Sequence, residues 1–263
     1  MSSFQRTKEW LDVTSNKNEK IYDSYLDWHI KQFQTPYRMT EHFYRWLQQT
    51  GHFDLKKPAQ VLDVGAGTGS IPYHFAQKLP NINFTAIDIS DELISKGNEI
   101  LKKLPSTPNF TLNVGDWYNL NPEYINKFDG VYSIATLLGL PEYEVALKKL
   151  IDLNPKWIAL ASLFYDGLVT AKIEVKDYTT PMGETPYYEE YRNIYSLLQV
   201  QSYFAKYGYS NFKYVPFDID VKIDPPASKG MGTYTVETNE QKNLQFSGPV
   251  FMSWYFILAE KNN

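Results

Sequence analysis

The sequence predicts an α/β fold: a doubly wound, seven-stranded, mostly parallel sheet with helices on both faces, an N-terminal helical lid and an insertion after strand five. Three observations predict it. Short apolar runs alternate with amphipathic segments from Val61 to Leu163. The first run ends directly in Gly65-Ala66-Gly67-Thr68-Gly69, and a helical pattern starts at once. Asp88 closes the second run, nineteen positions after Gly69.

The elements follow in order. Residues 1–18 are polar, and Met1 to Ser15 lacks the apolar core of a signal peptide. Ile21, Tyr25, Trp28 and Phe33 recur at helical spacing over 19–33. Thr35-Pro36 reads as an N-cap with proline in the first turn of a second helix, which carries Met39, Phe43, Trp46 and Leu47 on one face. Strands are expected at 61–64, 83–88, 109–114, 129–133 and 156–163, with helices at 69–79, 91–103 and 141–151 between them. Residues 164–190 show no clean period and read as a cap insertion. A helix is expected at 192–207, closed by Gly208, then strands at 212–221 and 251–259. The stretch 224–248 is rich in Pro, Gly, Thr and Ser and reads as a long connection or flap. Residues 1–54 thus form a lid, and 55–263 the main domain.

The glycine run identifies a nucleoside-cofactor site. Glycine permits the tight turn and lets a ligand approach the backbone, and an acidic residue at the spacing of Asp88 can accept from a ribose diol. The dinucleotide fingerprint would need glycine where this chain has Ser70. The pattern instead resembles motif I of the class I S-adenosylmethionine (AdoMet)-dependent methyltransferases, and Asp88 resembles their acidic motif II residue.

That resemblance implies AdoMet as cofactor. It implies that Gly65, Ala66 and Gly67 lie beneath its methionine part, that Asp63 orders the loop, and that Ile89 flanks the adenine. Asp116 would accept from the exocyclic amine and Trp117 would cover the ring, core packing being the other reading of Trp117. Ser133 and Ile134 would contact the cofactor by main chain. The amino-acid end of AdoMet needs a donor from the lid, with Tyr25 and Arg38 the candidates.

Composition narrows the acceptor. The net charge is −4 and no Lys/Arg block appears, so nucleic acid and anionic membranes are not expected partners. Residues 164–247 hold eight Lys/Arg against eleven Asp/Glu, which is mildly acidic. Cysteine is absent, so no thiolate nucleophile and no Cys-based zinc site exist, and a reducing cytoplasm is the expected location. No metal is expected. Tyr187, Tyr188, Tyr191 and Arg192 read as a pocket wall. His29 is the candidate base, needed only for a hydroxyl or a protonated amine. The expected activity is methyl transfer to a small molecule at a hydroxyl oxygen, on a sugar, sugar phosphate or natural product. An N-methyltransferase of a small amine and a nicotinamide-dependent oxidoreductase are the alternatives.

Overall fold

Parallel strands buried on both faces read as near-continuous apolar runs, and Trp157-Ile158-Ala159-Leu160-Ala161-Ser162-Leu163-Phe164, interrupted only by Ser162, is such a run. In the computed structural model it forms an interior strand of a large sheet. The model describes residues 19–105, 109–179, 186–240 and 242–262, with side chains from residue 26 onward. The helices are α1 (Glu19–Gln34), α2 (Arg38–Gln49), α3 (Ser70–Lys78), α4 (Asp91–Leu101), α5 (Tyr143–Asp152) and α6 (Leu197–Lys206). The sheet contains β1 (Ala59–Val64), β2 (Ile82–Asp88), β3 (Phe110–Val114), β4 (Gly130–Ile134) and β5 (Trp157–Tyr165). A hairpin of β6 (Glu174–Asp177) and β7 (Tyr188–Tyr191) precedes β8 (Tyr195–Ser196) and the edge strand β9 (Asn211–Pro216). The chain ends with β10 (Thr233–Glu237), β11 (Asn243–Ser247), β12 (Val250–Phe251) and β13 (Trp254–Glu260).

The sheet order is β3-β2-β1-β4-β5-β13-β9, with β8 also paired to β5. Strands β1 to β5 run parallel, and β13 lies antiparallel between β5 and β9. Alternation sorts β5 into two cores. Trp157, Ala159, Ala161 and Leu163 pack with Phe43 and Leu47 of α2 and Phe75 of α3. Ile158, Leu160 and Phe164 pack with Leu147 and Leu150 of α5 and Val200 and Phe204 of α6. The expected seven-stranded, mostly parallel sheet with helices on both faces is what forms.

Several boundaries differ for local reasons. Thr35 precedes a proline and leaves the helical region, so α1 ends at Gln34 and α2 starts at Arg38 behind Tyr37, not Thr35. The helix expected from Arg192 starts at Leu197. Asn193 holds the preceding segment extended by accepting from Ile173 N–H (3.0 Å) and donating to the Leu140 carbonyl (2.8 Å), and Ser196 then caps α6. Pro216 ends β9 five residues before the expected limit. The last expected strand divides into β12 and β13.

The insertion and the flap together form a cap. Hairpin β6–β7 and the antiparallel sheet β10-β11-β12 share no strand ladder among the described residues. Asp177 joins them, accepting from Met231 N–H at 2.7 Å and from the Thr179 hydroxyl at 2.7 Å. Val175, Val250, Met252 and Trp254 tie the cap to the α2/α3 side of the core.

One close approach tests this packing. Gly130 is paired with Trp157, and a Cβ there would lie 1.9 Å from the indole. Gly130→Ala should lower the unfolding free energy by about 1–3 kcal/mol in urea denaturation, with an unchanged m-value.

Candidate active site

The loop between β1 and α3 is held from two sides. Gly65 and Ala66 donate their N–H groups to the Ile87 carbonyl at 2.9 and 3.0 Å. Gly67 N–H donates to Asp88 Oδ2 at 2.8 Å, while Asp88 Oδ1 accepts from Ser90 N–H at 2.9 Å. Asp88 thus bridges the glycine loop to the start of α4. Burial raises its pKa, and the backbone N–H groups of Ser90, Gly67 and Ile89 oppose that. Each carboxylate oxygen still has a second lone pair for a diol.

Glycine is required in the loop on two counts. Gly65 and Gly67 have φ of 81° and 57°, and their neighbours leave no room. A Cβ on Gly65 would lie 2.3 Å from Thr136 Oγ1, and one on Gly67 2.5 Å from His29 Cε1. Thr136 also donates to the Gly65 carbonyl at 3.2 Å. Sequence reasoning gave Thr136 no role; the turn that aims it passes through Ala135, at φ 61°. Gly69 opens α3 without a side-chain cap, and no acidic residue stands in the first turn. The uncapped N–H groups suit a carboxylate.

The expected residues divide. Asp63 is 2% exposed, with the Tyr132 phenol against it and Asp88 nearby. Burial pushes its carboxyl well above the ordinary range. Ile89 follows Asp88 directly and is half-buried. Ser133 gives its hydroxyl to the Val64 carbonyl at 2.6 Å, and Ile134 is buried in the core. Asp116 lies past the end of β3 and accepts from Tyr118 N–H at 2.8 Å. The Tyr25 side chain lies outside the described residues.

Other expectations need correction. Trp117 takes the core reading: its indole is buried and donates to the Ala146 carbonyl of α5 at 2.8 Å, so it does not face a ring. Arg38 is engaged by Asp220 (Nε to Oδ1, 2.9 Å) and by Glu41 (2.7 Å), so it is not a free donor for the cofactor. His29 lies against Gly67 of the glycine loop, and burial lowers its pKa to about 4. So weak a base takes a proton poorly at neutral pH. Its place is packing over the loop, edge-on to Trp28 at 4.9 Å.

Strand alternation also splits the expected pocket wall. Tyr188 and Glu190 share the inner face of the hairpin with Val175 and Asp177. The Tyr188 hydroxyl donates to Glu190 Oε2 at 3.3 Å, and Arg192 pairs with Glu190 Oε1 at 2.6 Å. Tyr191 falls on the outer face with Glu174, Lys176 and Glu189. Tyr187 packs on Tyr178 at 5.4 Å beneath the Lys176 ammonium, also away from the interior. Asn193, next to Arg192, donates its N–H to the Leu138 carbonyl at 2.9 Å, so the chain leaving β7 stands beside the turn that follows Thr136. Among the described residues, no group of three or more His, Asp or Glu side chains could hold a metal ion, and no helix is long and apolar enough to cross a membrane.

Two substitutions probe the loop, with S-adenosylhomocysteine as ligand in isothermal titration. Gly67→Val should abolish detectable binding, since the branched Cβ meets His29. Asp88→Ala removes the acceptor of Gly67 N–H as well as the expected diol partner, and should weaken binding about tenfold or more. Normal affinity in either variant would mean no ligand lies over this turn.

Comparison with known proteins agrees with the geometry. A family model described as "Methyltransferase domain" matches residues 55–204, more than half of the chain. The chain is 36% identical over 129 residues to malonyl-acyl-carrier-protein O-methyltransferase 1 of Ilyobacter polytropus, which is 49% of this chain and 42% of that relative. It is 26% identical over 161 residues to a malonyl-acyl-carrier-protein O-methyltransferase of Priestia megaterium, 61% of this chain and 53% of the relative. The chain therefore spans about half the length of these curated relatives. A trans-aconitate 2-methyltransferase of Deinococcus radiodurans is 32% identical over 92 residues, 35% of this chain and 32% of the relative. In solved structures the fold recurs in the 1,6-didemethyltoxoflavin-N1-methyltransferase of Burkholderia thailandensis (TM-score 0.57, 14% identity, 100% of this chain and 93% of that one). It recurs also in magnesium protoporphyrin IX methyltransferase of Synechocystis with bound S-adenosylmethionine (TM-score 0.55, 13% identity, 99% and 100%). With the glycine loop and its Asp88 partner in place, the chain belongs to the class I AdoMet-dependent methyltransferase family, and AdoMet is its cofactor.

Proposed function

We propose that this methyltransferase acts on an oxygen of a small acceptor held beneath the cap, a hydroxyl on a sugar, sugar phosphate or natural product. The observation that carries the reading is the inner face of the hairpin. Tyr188, Glu190 and Arg192 form a small polar cluster there, beside the turn that touches the cofactor loop. The net charge of −4 and the absence of a basic block favour such an acceptor over nucleic acid. A carboxylate oxygen is the second reading, favoured by the relatives whose names specify a malonyl group and trans-aconitate.

The cofactor supplies an already activated methyl group on a sulfonium. The chain's work is alignment and exclusion of water. In this reading Asp88 takes the ribose, Gly65 to Gly67 pass beneath the methionine part, and Asp116 and Ile89 border the adenine. The cap shields the acceptor from solvent, with α1 and α2 as the lid on the cofactor side. A hydroxyl must lose its proton as the new O–C bond forms. Glu190 is placed to receive it: its carboxyl faces inward, burial raises its pKa, and Arg192 and Tyr188 keep the charged form accessible.

A radiolabelled-AdoMet assay across sugars, sugar phosphates, polyphenols, dicarboxylic acids, amines and tRNA tests the reading. We expect transfer to a hydroxyl acceptor, lowered about 10²-fold or more by Glu190→Gln with S-adenosylhomocysteine affinity retained. Turnover on dicarboxylic acids alone, insensitive to that substitution, selects the carboxylate reading. Salt-sensitive transfer to tRNA would sink both.

A further inference from the structure

Helix α2 and the end of the edge strand β9 are fastened at one point and stand apart at another. Arg38 spans the seam to Asp220, with Nε 2.9 Å from Oδ1, and His42 Nε2 lies 3.4 Å from Asp220 Oδ2. Arg45 follows Arg38 by seven residues, two turns along the same face of α2, and Asp218 stands two residues before Asp220. A second pairing of the same kind is offered there, yet it is not made. Among the described residues, neither the Arg45 nor the Asp218 side chain has an ion pair or a hydrogen bond, and both residues are exposed. A cavity of about 310 Å³ lies in the seam, and both residues line it.

The base of this cavity is aromatic. Trp46 of α2, Phe217 just past β9 and Phe256 of β13 line it together with His42. The Phe217 and Phe256 rings stack at 5.4 Å with 20° between their planes, Trp46 lies 5.8 Å from Phe256, and His42 meets Phe217 edge-on at 5.4 Å. Phe217 and Phe256 are buried in the core, so the sheet holds this base in place. None of the lining residues belongs to the glycine loop or to hairpin β6–β7.

The volume suits a small molecule at the lower end of the usual range. A simple anion here would meet Asp218, and a simple cation would meet Arg45. A molecule that carries both charges satisfies both side chains, with the guanidinium fork matching a carboxylate and the Asp218 carboxylate accepting from an ammonium. The rings call for a flat apolar body between those charges. We propose that this cavity is a second binding site, for a small aromatic zwitterion of the α-amino-acid type: its carboxylate on Arg45, its ammonium on Asp218 and its ring against Trp46 and Phe217. Occupation ties α2 to the end of β9 a second time, two turns along from the Arg38–Asp220 pair.

The test is isothermal titration of protein saturated with S-adenosylhomocysteine, which keeps an amino acid out of the cofactor site. The probes are L-phenylalanine, glycine, phenylacetate and phenethylamine, the last three lacking the ring, the ammonium and the carboxylate in turn. We expect saturable binding of L-phenylalanine with a dissociation constant of about 1 mM, and binding at least about tenfold weaker for the other three. Arg45→Gln and Asp218→Asn, both at exposed positions, should each weaken L-phenylalanine about tenfold and leave S-adenosylhomocysteine affinity unchanged. L-phenylalanine binding that neither substitution alters lies elsewhere and overturns the proposal. A loss in only one variant, or any of the other probes binding as tightly as L-phenylalanine, overturns the aromatic zwitterion. No saturation at about twenty times the expected constant overturns the site itself. Failure of wild type to bind S-adenosylhomocysteine counts against the cofactor instead, and the same titration without it still tests this cavity.

Discussion

Three backbone N–H groups, those of Gly65, Ala66 and Gly67, are anchored on the last two residues of β2, and the rest of the site depends on that anchorage. Two of the bonds continue the parallel ladder between β1 and β2 past the strand ends. The third runs to a side chain, and that side chain also accepts from Ser90, the N-cap of α4. One carboxylate therefore sets the relative height of two strands, one loop and one helix. Backbone groups bent back at positive φ have no helix or strand partner of their own, so this external satisfaction is what makes the turn stable.

Around this anchor the molecule is divided by the sheet. The α5/α6 face is apolar packing, including the Trp117 indole and the buried hydroxyl of Tyr195. The α2/α3 face carries the costly groups Asp63 and Tyr132, and the cap rests on the same side through Val175, Met252 and Trp254. Scaffold and chemistry are thus separated by one layer of backbone. Helix α1 and the β6–β7 hairpin reach the glycine loop and its neighbouring turn from different parts of the chain, since His29 lies on Gly67 and Asn193 bonds the turn that follows Thr136.

Local patterns made part of this legible in the sequence. The strand–glycine–helix order and the spacing to Asp88 are consequences of geometry within one βαβ unit, so they could be read without the fold. Side-chain partners far along the chain could not. Arg38 meets Asp220 across 182 positions, and no local pattern announces that pair. The tyrosines of β7 were visible as a cluster, but which of them face inward follows from register, and the pairing with β6 was hidden by the lack of period before it. His29 sat at a suitable helical position for a base; only its burial against Gly67 shows how weak a base it is. Thr136 looks like an ordinary residue past a strand end until the glycine loop of the neighbouring strand is placed beside it.

The clasp formed by Asp177 and Met231 joins segments 54 positions apart. Because the hairpin and the three-stranded sheet share no ladder, this carboxylate and the apolar contacts around it make the roof one mechanical piece. The floor that holds the cofactor has its own fixation at Asp88 and borrows nothing from that clasp. In the proposed reading, cofactor recognition and acceptor recognition therefore lie on separable parts. If the acceptor lies beneath the roof as proposed, a change in the roof's inward-facing residues alters the acceptor while the methyl donor is held as before.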